Sequence, residues 1–304
     1  MSRPWSADDP VVREGEDGAS FYFDLPPDRR DPDTARASIL PVPYDRTSTY
    51  AKGADRGPAA ILEASHQVEL LDVESGREPT RRGVLTLRPV EVEAGPERLA
   101  DVVRAAVGAE LDAGRLPIVL GGEHSVSIGA IEAAAARVPE LGILQVDAHA
   151  DTRESYHGST HNHACVMARA REHGPIVQVG IRSLDSSELE RLDRDRVFFA
   201  HDIAAARGTP HAAHWMDAAV ARLPEHVYLT IDLDGLDPSI LPCTGTPEPG
   251  GLLWHEVTEL VQRLAASRRV VAADVVELCP MPPMHASDFV AARLVHRLLA
   301  MLLD

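Results

Sequence analysis

Short apolar runs alternate with longer helical patterns along most of this chain, and this alternation constrains the fold more than any other feature. The runs are short enough to be buried strands. They lie at 39–43, 117–120, 142–146, 176–180, 197–200, 227–231 and 270–276. Between them the apolar spacing is helical, and near the C-terminus Val290, Leu294, Leu298 and Met301 form one stripe. The sequence therefore predicts an α/β protein with three layers, α/β/α, around a mainly parallel sheet.

The domain organisation follows from the extent of this pattern. No flexible linker, repeat or low-complexity tract interrupts residues 36–304. A chain of 304 residues could hold two domains by length alone, but α/β folds of this size are commonly single. Residues 1–35 are acidic and proline-rich and show no sustained period. We predict an N-terminal arm over 1–35, packed on the surface or on a neighbouring subunit, and one catalytic domain over 36–304.

Charge and hydropathy restrict the partners. The chain has 30 Lys and Arg residues against 47 Asp and Glu residues, a formal net charge of −17. This field repels phosphate backbones and acidic lipid surfaces, so we expect neither nucleic acid nor membrane as a partner. No apolar run approaches the roughly 20 residues that span a bilayer, and the first residues lack the apolar stretch of a signal peptide. The sequence predicts a cytoplasmic protein whose negative electrostatic field attracts small cationic molecules.

Residues that can bind metal ions follow several of the predicted strands. They are Glu123 and His124 after the second run, Asp147, His149 and Asp151 after the third, Asp232, Asp234 and Asp237 after the sixth, and Glu277 after the last. In an open parallel sheet, ligands bind outside the carboxyl ends of the strands. Each motif alone is weak, because such aspartates are often caps or turn residues. Together these motifs would bury several unpaired negative charges, which has a high cost in free energy. Bound divalent cations would offset this cost.

The spacing within two of these motifs adds detail. In an extended segment, residues i and i+2 project to the same side, so Asp147 with His149, and Asp232 with Asp234, can converge on one point. Two such pairs can share two ions. Carboxylate and imidazole ligands without thiolates suit Mn²⁺ and similar ions better than a structural zinc site. In two-metal hydrolases the ions lie roughly 3.5–4 Å apart and lower the pKa of a bridging water.

The motifs GGEHS, DAHAD, DLDGLDP, TGTPEPGG and VVEL resemble the signature set of the ureohydrolase family, which holds arginase, agmatinase and related guanidino hydrolases. They occur in order between about Ile39 and the C-terminus. The resemblance implies an arginase-like fold with two Mn²⁺ ions per subunit. It also implies that a metal-bridging hydroxide attacks the guanidinium carbon, which releases urea and an amine. Members of the family usually assemble as trimers or hexamers, so we expect a homo-oligomer.

The resemblance assigns roles to individual positions. One ion would be held by His124, Asp147, Asp151 and Asp232, and the other by Asp147, His149, Asp232 and Asp234. The carboxylate that anchors the guanidinium maps to Glu277, and the histidine that shuttles a proton to the leaving amine maps to His163. Relatives commonly place Gly or Ser and then Thr after this histidine, whereas Ala164 and Cys165 follow it here.

The identity of the substrate depends on the loops that contact its tail. Arginase-like members bind an α-carboxylate through polar residues, including an Asn, before the shuttle histidine, and His161 at that place disfavours arginine. The segments DTRESY and TGTPEPGG look more like those of agmatinases. We expect agmatine, cleaved to urea and putrescine, with Glu154 as a candidate partner for the tail amine. Aminopropylagmatine, guanidinobutyrate and arginine are the alternative substrates.

Two other classes of function are disfavoured. A non-catalytic metal-binding member of the fold is disfavoured by the unbroken ligand set, and a metal-dependent deacetylase by the VVEL motif and the two-ion ligand count. Glu123 and Glu248 lie inside motifs. For these two residues, a hydrogen bond to a metal ligand and direct contact with the metal site are equally expected. Asp237 is predicted to be a turn residue, and His157 and His161 to be polar surface.

Overall fold

The computed structural model describes residues 4–12 and 21–303, in which the seven predicted runs and one further strand form one parallel sheet of eight strands. The strands are β1 (Ala37–Val42), β2 (Val84–Thr86), β3 (Leu116–Gly121), β4 (Leu141–Val146), β5 (Ile176–Ile181), β6 (Val197–Phe199), β7 (His226–Asp232) and β8 (Arg269–Val276). Their order across the sheet is β2-β1-β3-β8-β7-β4-β5-β6, and every pairing is parallel. The predicted fold class is confirmed.

Helices cover both faces of this sheet. They are α1 (Gly57–Ser65), α2 (Pro96–Asp112), α3 (Ser127–Ala135), α4 (Val166–Ala170), α5 (Ala200–Ala206), α6 (His214–Ala221), α7 (Trp254–Ser267) and α8 (Ala286–Leu302). One core contains side chains of α1, α5, α6, α7 and α8, and the other contains those of α2, α3 and α4. The stripe predicted for α8 faces the first core, where Leu294 and Leu298 are fully buried. Because both faces are covered, the central strands are apolar almost throughout.

The structure differs from the predicted elements in two places. Strand β2 was not predicted, because three residues are too few for a recognisable apolar run; it forms by pairing with β1. The apolar spacing over 58–71 is that of one helix and predicts a helix of this length, but α1 ends at Ser65. The Ser65 hydroxyl donates to the carbonyl of Leu62 and accepts from the Phe23 amide. This side chain thus supplies hydrogen bonds where the helix stops.

The described part of the predicted N-terminal arm packs on the same chain. Tyr22 and Phe23 are buried in the first core, and the Tyr22 amide donates to the Thr86 hydroxyl at 2.9 Å. Residues 1–3 and 13–20 of that arm, and residue 304 of the predicted domain, lie outside the described residues. Within 4–12 and 21–303, none of the helices has the length and apolar character needed to cross a membrane.

Candidate metal centre

The strand order brings together motifs that are far apart in the sequence. Strands β3, β8, β7 and β4 are neighbours at the middle of the sheet, and the loops at their carboxyl ends carry the predicted ligands. A cleft of about 300 Å³ opens above these loops. Its lining includes the predicted site residues His149, Asp151, His163, Asp232, Asp234 and Glu277. His124 and Asp147 are not in the lining and are almost fully buried.

The first group of donors surrounds His124. Its Nδ1 atom lies 3.1 Å from a carboxylate oxygen of Asp147, 3.1 Å from one of Asp151 and 3.4 Å from one of Asp232. His124, Asp147 and Asp232 place ligand atoms close enough to hold one metal ion. The carboxylate of Asp151 also faces Nδ1 of His124, so Asp151 is a fourth candidate donor beside this group.

The second group surrounds His149. Its Nδ1 atom lies 3.0 Å from a carboxylate oxygen of Asp234 and 3.7 Å from one of Asp147. These three residues also place ligand atoms close enough to hold an ion. Because Asp147 belongs to both groups through different oxygens, two ions bound here would share it.

Hydrogen bonds fix the tautomer of His124. The Thr230 hydroxyl donates to Asp274 at 2.6 Å, so its oxygen is free to accept from Nε2–H of His124 at 2.9 Å. Asp274 also accepts from the Tyr228 hydroxyl at 2.6 Å. Nδ1 is therefore the nitrogen of His124 that faces the three carboxylates; it is buried and has no hydrogen-bond partner among the described residues. Without its proton, this nitrogen and the three carboxylates would be suitable donors for a metal cation.

The Thr230 hydroxyl should therefore matter for metal affinity without touching the metal. Replacing Thr230 by Val keeps the shape of the side chain but removes the acceptor for His124 Nε2–H, so we expect the affinity for a divalent metal ion to fall roughly 10–100-fold. Thr230→Ser is the matched control, because it retains the hydroxyl and should retain the affinity. Metal titration followed by calorimetry measures the change. Equal affinity in Thr230→Val and the wild type would contradict the role given to this bond.

Electrostatics also indicate a cation. Burial and neighbouring carboxylates raise the pKa of Asp151 to about 6 and raise the pKa of Asp232 well above its usual range. Burial would also raise the pKa of Asp147, but His124 and His149 outweigh it and lower that pKa. The two imidazoles thus stabilise only part of the buried negative charge. Divalent cations would stabilise the rest.

Glu277 lies at the other side of the same cleft. The residue has a φ of 65°, a left-handed conformation that costs about 1–3 kcal/mol for a residue with a side chain. One carboxylate oxygen accepts from the amide of His124 at 2.7 Å. Burial, followed by the nearby carboxylate of Glu123, raises the pKa of Glu277 well above its usual range. A cation entering the cleft would favour the ionised form of this carboxyl group.

His163 lines the cleft and is tied to a second polar network. The Thr47 hydroxyl donates to Glu123 at 2.6 Å, so it accepts from Nδ1–H of His163 at 3.0 Å. Nε2 of His163 is then the unprotonated nitrogen. Burial and positive charge on His124 and His149 lower the pKa of His163 to about 4. The imidazole is therefore neutral near pH 7 and must accept a proton before it can deliver one.

The remaining motif residues hold loops. Glu123 accepts hydrogen bonds from the segment around Thr47, and the carboxylate of Asp237 accepts from the amides of Gly250 and Gly251 at 2.9 Å each. Asp237 is thus a turn residue, as predicted. For Glu248, it is the main-chain carbonyl that accepts, from the Arg182 guanidinium at 2.7 Å. The same guanidinium donates to the carbonyl of Asp234 and so joins the two loops.

The structure overturns the expectation for Glu154. This side chain is exposed and is not among the residues that line the cleft. Its carboxylate pairs with Arg169 at 2.8 Å, Arg171 at 3.3 Å and Arg191 at 2.8 Å. Local sequence could not show this, because the pairing with Arg191 bridges 37 positions of the chain.

Two further acidic residues belong to the cleft lining, one exposed and one buried. Asp185 and Glu188 line it, together with Arg153 and Tyr156. The Arg153 guanidinium lies 4.5 Å from the centre of the Tyr156 ring and 3.8 Å from an oxygen of each carboxylate. These residues can interact with a cationic group at some distance from the metal ligands.

Several residues of this centre were missed in the sequence. Thr230 carried a signal, since it lies two positions before Asp232 on the same strand. Asp274 carried another, as a charged residue inside a buried apolar run. Thr47 and Asp185 had no local signal, because only the folding of distant loops brings Thr47 to Glu123 and His163 and brings Asp185 to the cleft.

A parallel sheet with paired histidine and aspartate donors at its carboxyl edge is typical of metal-dependent α/β hydrolases. The sequence matches the family described as Arginase over residues 35–301. The chain therefore belongs to the arginase family. It is a ureohydrolase, a hydrolase that acts on the C–N bonds of guanidino groups.

Individual relatives agree with this assignment. An N(1)-aminopropylagmatine ureohydrolase of Thermus thermophilus is 39% identical over 267 residues, covering 86% of this chain and 88% of the relative. The agmatinase of Pyrococcus horikoshii is 32% identical over 289 residues, covering 93% and 96%. The solved structure of the agmatine ureohydrolase of Thermoplasma volcanium superposes with a TM-score of 0.81 at 33% identity, covering 90% of this chain and 92% of that chain.

Proposed function

We propose that this chain is a binuclear manganese ureohydrolase that releases urea from N(1)-aminopropylagmatine. The observation that carries the proposal is that two groups of histidine and aspartate side chains share Asp147, beneath a cleft whose lining includes the largely buried Glu277. The Thermus relative, at 39% identity, is named for this substrate. Agmatine, the substrate predicted from the sequence, is the second candidate, supported by the Pyrococcus and Thermoplasma proteins.

Two ions would be held by the residues assigned in the sequence. The first would use His124, Asp147, Asp151 and Asp232, and the second Asp147, His149, Asp232 and Asp234. Divalent ions supply a water-derived nucleophile near neutral pH and stabilise developing negative charge. Mn²⁺ suits this set of oxygen and imidazole donors.

Glu277 would orient the guanidinium. Its carboxylate is buried, and one oxygen is already used by the amide of His124. The other oxygen can accept an N–H of the substrate in a charge-assisted hydrogen bond. The strained backbone at this position and the bond to His124 keep the carboxylate in one place, so the guanidinium carbon would be held above the ligand groups.

His163 would move the proton. In its neutral state it can accept a proton through Nε2, while Nδ1–H remains bonded to Thr47. The amine is a poor leaving group unless it is protonated, so transfer from His163 to the departing nitrogen completes the cleavage. Glu123 holds the Thr47 hydroxyl in the orientation that this requires.

Asp185 would receive the cationic tail. It lines the cleft, and the Tyr156 ring offers a face on which a cation can rest. Glu188 also lines the cleft, but it is buried and its carboxylate already accepts hydrogen bonds from Thr152 and from the Asp185 amide. In the free protein the Arg153 guanidinium stands near all three groups. An additional ammonium in the tail, as in aminopropylagmatine, matches these groups better than an acidic tail such as that of guanidinobutyrate.

Replacing His163 should separate proton transfer from metal binding. We expect His163→Asn to lower kcat about 10²–10⁴-fold, because general acid–base catalysis contributes this much, while Mn²⁺ content stays unchanged. His161→Asn is the matched control, since that histidine belongs to the same loop but does not line the cleft. Steady-state urea release and elemental analysis measure both quantities. A His163→Asn enzyme with full activity would remove this residue from the mechanism.

Urea release from the manganese-loaded protein tests the function. The substrates are N(1)-aminopropylagmatine, agmatine, arginine and guanidinobutyrate, with a chelated sample of each as control. We expect metal-dependent urea from the first at the highest kcat/KM. A preference for agmatine would keep the reaction and replace the substrate. No urea from any of the four, with two metal equivalents bound, would favour a non-catalytic metal-binding protein.

Two substitutions test which carboxylate binds the cationic tail of the substrate. Asp185→Asn should raise KM for N(1)-aminopropylagmatine about tenfold, a typical cost of losing a charge-assisted contact. Glu154→Gln removes the carboxylate predicted from the sequence and should leave KM unchanged, since that side chain is not in the cleft lining. The opposite result would restore Glu154 as the tail partner.

A further inference from the structure

A second, larger cavity lies at the opposite edge of the sheet. Its volume is about 820 Å³, and it opens beneath the amino ends of β1, β3, β7 and β8. The loops of the metal centre leave the carboxyl ends of the strands, so the two sites are separated by the length of the sheet. This volume is in the range of sites for small organic ligands. Nothing in the ureohydrolase reaction uses this cavity.

The cavity concentrates positive charge in a chain whose net charge is −17. Five arginines line it, namely Arg36, Arg115, Arg137, Arg268 and Arg269. Two of these are neutralised by neighbours: Arg115 pairs with Glu110 at 2.6 Å, and Arg137 pairs with Asp112 at 2.7 Å. The other three have no acidic partner in the described part of the chain.

The sheet sets the spacing of the unpaired arginines. Arg36 immediately precedes β1 and Arg269 begins β8, with β3 lying between these two strands. Adjacent strands are about 4.8 Å apart, so the two main chains are separated by about 10 Å. His226, which also lines the cavity, is paired in register with Arg269 on the next strand. Arg268 lies beside them on the chain. These basic groups can act together on one ligand that carries more than one negative charge.

Apolar side chains complete the wall. The lining includes Leu116 and Val270 from the strands, and Leu111, Val138 and Leu302 from segments that cover the sheet. A cavity with several cations and an apolar wall suits a compact organic anion better than a hydrated inorganic ion.

We propose that this cavity binds a small organic anion with two or more phosphate or carboxylate groups, held by Arg36, Arg268 and Arg269. The site is separate from the metal centre and does not depend on the function proposed for it. Arg36 and Arg269 are exposed and form no hydrogen bond through their side chains to other described residues, so their guanidinium groups are available to a ligand. Arg268 is half-buried and already oriented by bonds to the carbonyls of Leu223 and Ser267.

The competing explanation is that these arginines only compensate the partial negative charge at the C-terminal ends of nearby helices. Helices α2, α7 and α8 all end near this cavity, and the exposed carbonyls at helix C-termini attract cations. One of the two Arg268 hydrogen bonds is of this kind, because it reaches the carbonyl of Ser267 at the end of α7. This explanation predicts no saturable binding of an anion, so a binding experiment distinguishes the two.

Calorimetry with the manganese-loaded protein and naphthalene disulfonate provides the test. Sulfonates bind Mn²⁺ weakly, so this probe should not strip the metal centre. We expect one equivalent to bind per chain, and Arg36→Gln with Arg269→Gln to weaken binding at least about tenfold because two charge-assisted contacts are lost. Arg98→Gln with Arg194→Gln removes the same charge from exposed positions outside the cavity and should leave binding unchanged.

Displacement of the probe by competitors then identifies the chemical class of the natural ligand. A hexose bisphosphate that displaces the probe indicates a phosphate ligand, whereas displacement by suberate indicates a dicarboxylate. The proposal is overturned by the absence of saturable binding, by displacement with neither competitor, or by equal weakening in the two double variants. Urea release is measured in parallel, and its presence or absence bears only on the proposed function.

Discussion

Replacing Asp147 by Asn is expected to remove both metal ions and nearly all activity. Asp147 is the residue common to the two donor groups, and its oxygens face His124 at 3.1 Å and His149 at 3.7 Å. The change keeps the size of the side chain but removes a negative charge from between the two groups. The new amide would also meet the Gln145 amide, which now donates to the carboxylate at 2.7 Å. We expect kcat/KM to fall about 10³-fold or more.

The measurement combines urea release with elemental analysis of the purified variant. Both should fall together, because the loss of activity is attributed to the loss of metal. Asp202→Asn is a suitable control, since it removes one carboxylate from an exposed position on α5 and should change neither quantity. An Asp147→Asn protein that keeps two ions and full turnover would show that Asp147 does not connect the two groups.

Replacing Arg297 by Met is expected to cause the largest loss of stability. Arg297 is 2% exposed, and its guanidinium donates to both carboxylate oxygens of fully buried Asp72 at 2.8 and 2.6 Å. It also donates to Glu74 at 2.7 Å. The variant would leave the Asp72 charge buried without this partner, which costs about 3–5 kcal/mol. Denaturant unfolding at fixed protein and metal concentrations measures the free energy of unfolding.

Two comparisons make this prediction specific. Arg293→Gln removes a more distant cation, 3.5 Å from Asp72, and should cost less than about 1 kcal/mol. Arg297→Met combined with Asp72→Leu removes both charges and should recover most of the loss, because replacing a whole buried pair is often neutral. Activity of the folded variants should be unchanged, since neither residue lines the catalytic cleft. A loss below about 1 kcal/mol in Arg297→Met would contradict the argument.

This effect should depend on pH in a defined direction. Burial would raise the pKa of Asp72, but hydrogen bonds from Ser75 and Arg297 outweigh it and lower the folded-state pKa. The stabilisation is therefore fully present above the unfolded pKa of about 4, and it is lost as the pH falls through the lower folded value. The difference between wild type and Arg297→Met should accordingly shrink in acid.

The residues that the sequence indicated would lie together share one property. Their grouping follows from local periodicity, as for Asp147 and His149 two positions apart, or from the rule that ligands gather at the carboxyl ends of parallel strands. The α8 stripe was predictable for the same reason, because a helical period alone decides which side is apolar. Strand β2 was not, since it exists only through its pairing with β1.

The sequence by itself determined the α/β architecture and the family, and it indicated the candidate metal ligands, because periodicity and motif order are local properties of the chain. Only the tertiary structure decided which oxygens face each histidine, that Thr230 and Asp274 set the tautomer of His124, and that Asp185 rather than Glu154 borders the cleft. It also placed around the second cavity three arginines that have no acidic partner among residues 4–12 and 21–303. The physical reason is that hydrogen bonds and ion pairs join side chains that are close in space, and the strand order, with β8 and β7 between β3 and β4, sets those neighbours.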